Sequence, residues 1–90
     1  MKFEWDAQKA ALNLKKHGVT FEEAATVFRD TLSATAHDPD HSMDEDRFVT
    51  FGLSSSGRLL VVSHADRKED IRIVSARQAT KQERKIYEED

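Results

Sequence analysis

The residues best suited to chemistry lie late in the chain, where basic side chains accompany one histidine and one tyrosine. They are His64, Arg67, Lys68, Arg72, Ser75, Arg77, Lys81, Arg84, Lys85 and Tyr87. These types suit metal-free cleavage of RNA, in which the ribose 2′-hydroxyl attacks the adjacent phosphate. That reaction needs a base, an acid for the leaving oxygen and cations for the developing charge.

Each role has a candidate in this group. His64 has the chemistry of a base or an acid, and Arg67 and Arg77 have guanidinium forks that match phosphate oxygens. Tyr87 has a ring that can stack on a base and a hydroxyl that can donate a proton. The alternative is structural: Tyr87 closes the core, and the arginines pair with nearby acids, Asp66, Glu69, Asp70 and Glu83.

The charge distribution points to the same region. Residues 1–57 carry six Lys/Arg against ten Asp/Glu, whereas residues 58–85 carry eight against four. A basic region on a chain of net charge −3 suits an anionic ligand bound at one place. The alternative is an ordinary solvated mixture of charges.

Length and composition bound the class of protein. Ninety residues predict a single domain over 1–90. Without cysteine the chain has neither disulfides nor thiolate metal sites, which suits the cytosol. We expect no signal peptide, and no stretch approaches the roughly 18 apolar residues of a membrane span.

Two helices are predicted near the N-terminus, after a short strand at Phe3–Trp5. Asp6 is a good N-cap for a helix over 7–17, which Gly18 ends. Thr20 and Glu23 form a capping box for a second helix over 20–29.

Strands and a final helix follow. Strands are predicted over 32–36, 47–53, 58–64 and 71–77, with an acidic loop at 37–46 and turns at 54–57 and 66–70. A helix from Thr80 to Glu89 closes an α+β domain with an antiparallel meander. Regular alternation places His64 with Leu60 and Val62. It also places Arg77 with Ile71, Ile73 and Ser75, and Arg72 on the opposite face.

Three other chemistries are weaker. A helix-turn-helix reading of the first two helices gives an acidic recognition helix, which phosphates repel. His37, Asp38, Asp40 and His41 are metal-ligand types on a loop without a rigid support. Ser54–Ser56 lies in a turn with no adjacent base. The three glycines rule out the dinucleotide and Walker phosphate loops.

Two extended motifs resemble the signatures of BrnT-type toxins. The opening one is Phe3-Glu4-Trp5-Asp6, Lys9 and Asn13-Leu14-Lys15-Lys16-His17-Gly18-Val19-Thr20-Phe21-Glu22-Glu23-Ala24. The closing one is Ile71-Arg72-Ile73-Val74-Ser75-Ala76-Arg77, Ala79, Glu83-Arg84 and Tyr87-Glu88, and Glu45-Asp46-Arg47 and Gly52 fit between them. The resemblance covers nearly the whole chain.

The resemblance implies a RelE-like ribonuclease, the toxin of a type II toxin–antitoxin pair, that arrests translation and growth without a metal or other cofactor. It implies a BrnA-type antitoxin as partner in a 2:2 complex, which binds operator DNA only through the antitoxin. The closing signature is expected to hold the functional residues, with Arg77 foremost and Arg84 next. Contacts with RNA are expected from Lys16, His17, Arg72 and Lys81.

A second hypothesis is a non-catalytic partner that tunes a ribbon-helix-helix antitoxin. Toxicity on expression alone distinguishes the two hypotheses, since only the ribonuclease arrests growth by itself.

Overall fold

The computed structural model describes residues 1–42 and 45–88. Its three helices are α1 (Ala7–His17), α2 (Phe21–Thr26) and α3 (Lys81–Glu88), and its five strands are β1 (Lys2–Glu4), β2 (Ala34–His37), β3 (Arg47–Leu53), β4 (Leu59–Arg67) and β5 (Asp70–Gln78). Short 3₁₀ turns cover Val27–Arg29 and Pro39–His41. The α+β class predicted from the sequence is confirmed.

The bounds of α1 follow from its caps. The Asp6 carboxylate accepts hydrogen bonds from the backbone N–H groups of Gln8 and Lys9, at 2.8 and 3.0 Å. At the other end Gly18 takes a left-handed conformation, with φ of 69°, which glycine adopts without a Cβ penalty. The helix covers the range that the sequence predicts.

The second predicted helix is divided. Thr20 caps α2 by accepting a hydrogen bond from the Glu23 N–H at 3.0 Å. The helical turn tightens to 3₁₀ geometry at Val27, so the predicted range of 20–29 contains two elements. The Glu23 carboxylate does not complete a capping box but contacts the turn between β3 and β4.

The sheet is mixed, in the order β1-β5-β4-β3-β2. Strands β2 to β5 pair antiparallel, whereas β1 runs parallel to β5, with Phe3 opposite Ile71. Strand β4 continues three residues beyond its predicted end, and β5 begins one residue before its predicted start. The turn between them therefore contains only Lys68 and Glu69. The end predicted for the last helix, Glu89, lies outside the described residues. No helix in the described ranges is long and apolar enough to cross a membrane.

The hydrophobic core lies between one face of the sheet and the first two helices. Its buried members are Val19, Phe21, Ala24, Val27, Leu60, Val62, Ile71, Ile73 and Ala76. The face toward α1 and α2 is therefore the covered face. The opposite face, called the open face below, carries Arg47 of β3, Ser63 of β4, and Arg72, Ser75 and Arg77 of β5.

A β-bulge changes which residues reach the open face. His64 pairs with Ile73 but Ser63 pairs with Ser75, so Val74 is an extra residue on β5. The predicted alternation is wrong beyond this point, because one extra residue shifts the phase of every later side chain. Arg72 and Arg77, predicted on opposite faces, lie on the same open face, while Ala76 enters the core.

Candidate active site

Cross-strand pairing arranges the open face in rows, three of which are numbered here, and Arg67 lies one row beyond them, opposite Asp70. Row one holds Glu4, Arg72, Ala65 and Arg47; row two holds Ser75, Ser63, Val49 and Ala36; row three holds Arg77, Val61, Phe51 and Ala34. Successive rows are two residues apart along a strand, or ~6.6 Å, so rows one and three lie ~13 Å apart. Two arginine-bearing rows therefore flank a row with two hydroxyl groups.

Row one is organised around the carboxylate of Glu45, just before β3. Arg72 Nη2 donates a hydrogen bond to Glu45 Oε1. Arg47 Nε lies 3.8 Å from Oε1, and Arg67 Nη2 lies 3.8 Å from Oε2. Beneath these long side chains is Ala65, which is fully buried. A small residue at the centre of the row leaves room for three guanidinium groups to converge on one carboxylate.

Row three is covered by α3, whose Glu83 binds Arg77. Arg77 Nη1 and Nη2 donate to the two Glu83 carboxylate oxygens at 2.8 and 3.0 Å. The hydrogen bond from Arg77 lowers the pKa of Glu83 to about 2, and the same bond raises the pKa of Arg77. Arg77 is thus fixed in orientation and stays charged.

Tyr87, farther along α3, lines a pocket with Ala34 and Phe51 at the β2 end of row three. Its hydroxyl donates to Asp30 Oδ2 at 2.6 Å, and this bond to a carboxylate raises the tyrosine pKa to about 12. Asp30 also accepts from the backbone N–H groups of Leu32 and Leu53, at 3.0 and 2.8 Å. In this arrangement Tyr87 anchors α3 to the sheet.

His64 is buried on the covered face, as its predicted phase with Leu60 and Val62 requires, and is 1% exposed. Its Nε2 lies 2.7 Å from Thr50 Oγ1 and its Nδ1 lies 2.7 Å from Asp66 Oδ1. Phe28 and Phe48 pack against its ring, with centroids at 4.9 and 5.9 Å. Burial lowers the pKa of His64, and Asp66 opposes this shift. The catalytic role predicted for His64 stays a prediction, and this placement favours a structural role.

The remaining predicted residues border the open face at separate places. Lys16 and His17 line a shallow groove beside Val74 and Ser75, at the β5 edge of row two. Lys81 and Arg84 lie at the start of α3, in a groove with Leu59. Arg72 belongs to row one, and Arg67 reaches toward Glu45 from the next row. The structure therefore divides the predicted cluster between the two ends of the open face.

Two residues at row one, Arg47 within it and Glu45 beside it, were absent from the candidates drawn from the sequence. Glu45 and Arg47 were quoted only as a family motif, because an acid and a base just before a strand suggest an ordinary solvated loop. Their signal is the position of Arg47 on the same strand face as Val49 and Phe51. What the sequence could not show is that β4 and β5 bring two more arginines to that place.

The weaker candidates have structural partners. Ser54 and Ser56 both donate hydrogen bonds to Glu23 Oε2, so they hold the β3–β4 turn. His41 Nδ1 lies 2.8 Å from Asp38 Oδ2, and His37 Nε2 lies 3.5 Å from Asp46 Oδ1. In residues 1–42 and 45–88, no three His, Asp or Glu side chains converge as a metal-binding group.

The arrangement can bind and polarise a phosphodiester. Guanidinium groups of row one present charge and directed N–H donors, and the Ser63 and Ser75 hydroxyls lie in the adjacent row. Fixed cations and donors of this kind stabilise the charge that develops on a phosphate during transfer.

The sequence of the chain matches one family model over residues 5–83: "Ribonuclease toxin, BrnT, of type II toxin-antitoxin system". The chain belongs to the BrnT family. The matched range includes both carboxylates, Glu45 and Glu83, and the four arginines that contact them: Arg47, Arg67, Arg72 and Arg77.

A solved BrnT structure gives an independent comparison. The fold is similar to that of the Brucella abortus ribonuclease toxin BrnT, with a TM-score of 0.67 and 27% sequence identity. The similarity covers 90% of this chain and 99% of the Brucella chain. No curated protein sequence matches this one. The BrnT family consists of type II ribonuclease toxins, and an antitoxin partner is implied by that class.

Proposed function

We propose that this protein is an endoribonuclease toxin that cleaves RNA without a metal ion and thereby arrests translation and growth. Residues 1–90 act as one RelE-like domain in the cytoplasm. The observation that supports this most directly is the open face: three guanidinium groups around Glu45 in row one and a fixed Arg77 in row three, in a family of ribonuclease toxins.

The substrate is bound by charge and by directed donors. Row one and Arg77 bind separate phosphates of one RNA strand, because guanidinium forks match phosphate oxygens. Lys16 and His17 at one edge, and Lys81 and Arg84 at another, extend this basic surface to flanking nucleotides. Tyr87 acts indirectly, by holding α3 and hence Glu83 against row three.

The partner is a BrnA-type antitoxin with a ribbon-helix-helix part, in a 2:2 complex that binds operator DNA only through the antitoxin. A partner that covers the open face would block the enzyme. The acidic N-terminal half then offers a complementary surface to basic segments of the antitoxin.

The test is RNA cleavage by the purified chain, freed from antitoxin, with and without ribosomes and with and without EDTA. We expect cleavage that EDTA does not reduce, growth arrest on expression, and relief of that arrest by Arg77→Ala. Retained antitoxin binding is the control for folding. Intact RNA under all four conditions contradicts the enzymatic proposal, and antitoxin binding without toxicity favours the non-catalytic partner.

A further inference from the structure

Three buried polar atoms lack hydrogen-bond partners in the part of the chain that the structure describes. They are Glu45 Oε2, Arg47 Nε and Arg72 Nε. Native proteins leave few buried polar groups unpaired, because each loses its bonds to water without a replacement. All three belong to the row-one cluster, so one feature of that cluster explains them together: the ligand it binds supplies the missing partners.

The unpaired atoms define the chemistry of that ligand. Glu45 Oε2 is a vacant acceptor, and the two guanidinium Nε–H groups are vacant donors. The complement is a hydroxyl group that donates one hydrogen bond, next to an anion that accepts two. A single nucleotide step of RNA has this combination, because its ribose 2′-hydroxyl lies beside its 3′-phosphodiester.

We propose that Glu45 is a catalytic residue of this ribonuclease, the base that takes the proton of the attacking 2′-hydroxyl. The inference rests on the proposed function and deepens it by placing the reaction in row one. The three unpaired atoms are closed to solvent, so the cluster binds its ligand only after the exposed Arg67 side chain moves off it. Glu45 Oε2 then accepts the hydrogen bond of the 2′-hydroxyl, while Arg47 and Arg72 bind the phosphate oxygens through Nε–H.

The step balances without a further reagent. The 2′-oxygen forms a bond to phosphorus as its proton moves to Glu45, and the bond from phosphorus to the 5′-oxygen breaks. The 5′-oxygen takes a proton from solvent water and leaves as a hydroxyl, and Glu45 returns its proton to solvent. The products are a 2′,3′-cyclic phosphate and a 5′-hydroxyl end, with no water consumed and no change of oxidation state.

The other carboxylates near the open face are less well placed for this role. Asp70 lies outside row one, opposite Arg67. Both oxygens of Glu83 are engaged by Arg77. Glu4 lies at the β1 edge of row one and is 44% exposed, with its Oε1 3.9 Å from Arg67 Nη1, so no side-chain hydrogen bond from the described residues orients it. Among the described residues, Arg72 is the one side chain that donates a hydrogen bond to Glu45, since Arg47 and Arg67 stand at ion-pair distance. The Glu45 carboxylate is therefore oriented, and its buried Oε2 keeps an unused acceptor.

The decisive variant is Glu45→Gln, which keeps the shape of the side chain and removes its basicity. The matched control is Glu22→Gln, at an exposed position on α2, away from the open face. The measurements are the single-turnover rate of RNA cleavage and the affinity for an oligonucleotide of the same sequence in which hydrogen replaces every 2′-hydroxyl.

We expect Glu45→Gln to bind this analogue as tightly as the wild type or more tightly, since it removes a negative charge from among three arginines. Its cleavage rate is expected to fall by at least about 100-fold, the usual contribution of a general base. Glu45→Asp is expected to recover part of the rate. The wild-type rate is expected to fall as the pH is lowered and Glu45, which faces Arg47, Arg67, Arg72 and Glu4, takes up a proton. The Gln variant is expected to lose this dependence on pH.

A Glu45→Gln rate within about threefold of the wild type overturns the assignment of a general base. A faster rate also overturns it, and shows that Glu45 competes with the phosphate instead. If thermal denaturation shows that the Gln variant is unfolded, Glu45→Asp decides: an unchanged rate and pH profile count against the proposal. If the wild type leaves RNA intact, the proposed function itself is wrong. If the wild type cleaves RNA and Glu45→Gln cleaves it equally fast, only the role of Glu45 is wrong.

Discussion

Asn13 on α1 and Ala76 on β5 are joined by two hydrogen bonds between a side chain and the backbone. Asn13 Nδ2 donates to the Ala76 carbonyl at 2.8 Å, and Asn13 Oδ1 accepts from the Ala76 N–H at 3.1 Å. Strand β1 pairs with β5 only as far as Arg72. The Asn13 amide replaces the missing strand beyond the bulge and so fixes the segment that carries Ser75 and Arg77.

Asn13→Ala is expected to destabilise the fold strongly. It leaves both backbone groups of Ala76 unpaired, together with the Val19 carbonyl that Asn13 also bonds at 3.0 Å. Buried unpaired groups cost about 1–3 kcal/mol each, so we expect a loss of about 3 kcal/mol in the free energy of unfolding. Urea denaturation measures it, with exposed Gln8→Ala on the same helix as control. Equal stability of the two variants contradicts the role assigned to Asn13.

Gly52 is expected to tolerate no side chain. A Cβ there would lie 2.8 Å from Val27 Cγ1 and 3.0 Å from the Ser33 Cβ, because the 3₁₀ turn after α2 crosses close over β3. We expect Gly52→Ala to lower the free energy of unfolding by about 1–3 kcal/mol, the usual cost of overpacking. The control is Ser55→Ala, at an exposed position of the following turn. An alanine variant as stable as the wild type shows that this contact is looser than described.

Glu23 is expected to make the fold sensitive to acid. Its carboxylate accepts hydrogen bonds from Arg58, Ser54 and Ser56, and mainly the bond to Arg58 lowers its pKa from 4.5 to about 2. The stabilisation is fully present above the unfolded pKa and is lost as pH falls through the folded value.

Glu23→Gln is accordingly expected to cost about 2 kcal/mol at neutral pH, the range for hydrogen bonds to charged groups. The variant should also lose less stability than the wild type between about pH 5 and pH 2. Chemical denaturation across this range checks both effects, and Glu22→Gln, its exposed neighbour, should match the wild type. Parallel pH curves for Glu23→Gln and the wild type would count against the assigned pairing.

His64 is expected to affect stability rather than cleavage. Burial lowers its pKa from 6.5, so the unfolded chain binds a proton more readily and stability declines as pH falls below 6.5. His64→Gln should flatten that decline, which denaturation between about pH 7.5 and pH 5.5 measures. Its cleavage rate per folded molecule should stay within about threefold of the wild type, below the contribution of a general acid or base. A loss of about 100-fold with the fold intact would restore the proton-transfer role predicted from the sequence.

The sequence predicted local features well because their signals are local. Asp6 and Gly18 bound α1 through their own side-chain and backbone chemistry, and alternation placed His64 correctly on the covered face. The Val74 bulge could not be predicted, since one extra residue without glycine leaves no mark on the pattern. Without the bulge, Arg72 and Arg77 were assigned to opposite faces.

Only part of the candidate site could be predicted, because only part of it has a local signal in the sequence. Composition identified a basic region and the arginines within it, but not their partners. Glu45 meets Arg67 and Arg72 only because three strands pair in one register, which is a long-range property. The parallel pairing of β1, which places Glu4 in row one, likewise has no local signal.

The most direct test of the account compares two arginines on opposite sides of the sheet. Arg72 belongs to row one on the open face, and Arg29 is exposed in the 3₁₀ turn after α2. The measurement is the single-turnover rate of RNA cleavage by the wild type, Arg72→Ala and Arg29→Ala, with circular dichroism to verify folding. We expect Arg29→Ala to match the wild type and Arg72→Ala to be slower by at least about 100-fold, as for loss of one charge-stabilising donor. Equal rates for the two folded variants would contradict the claim that RNA is cleaved on the open face.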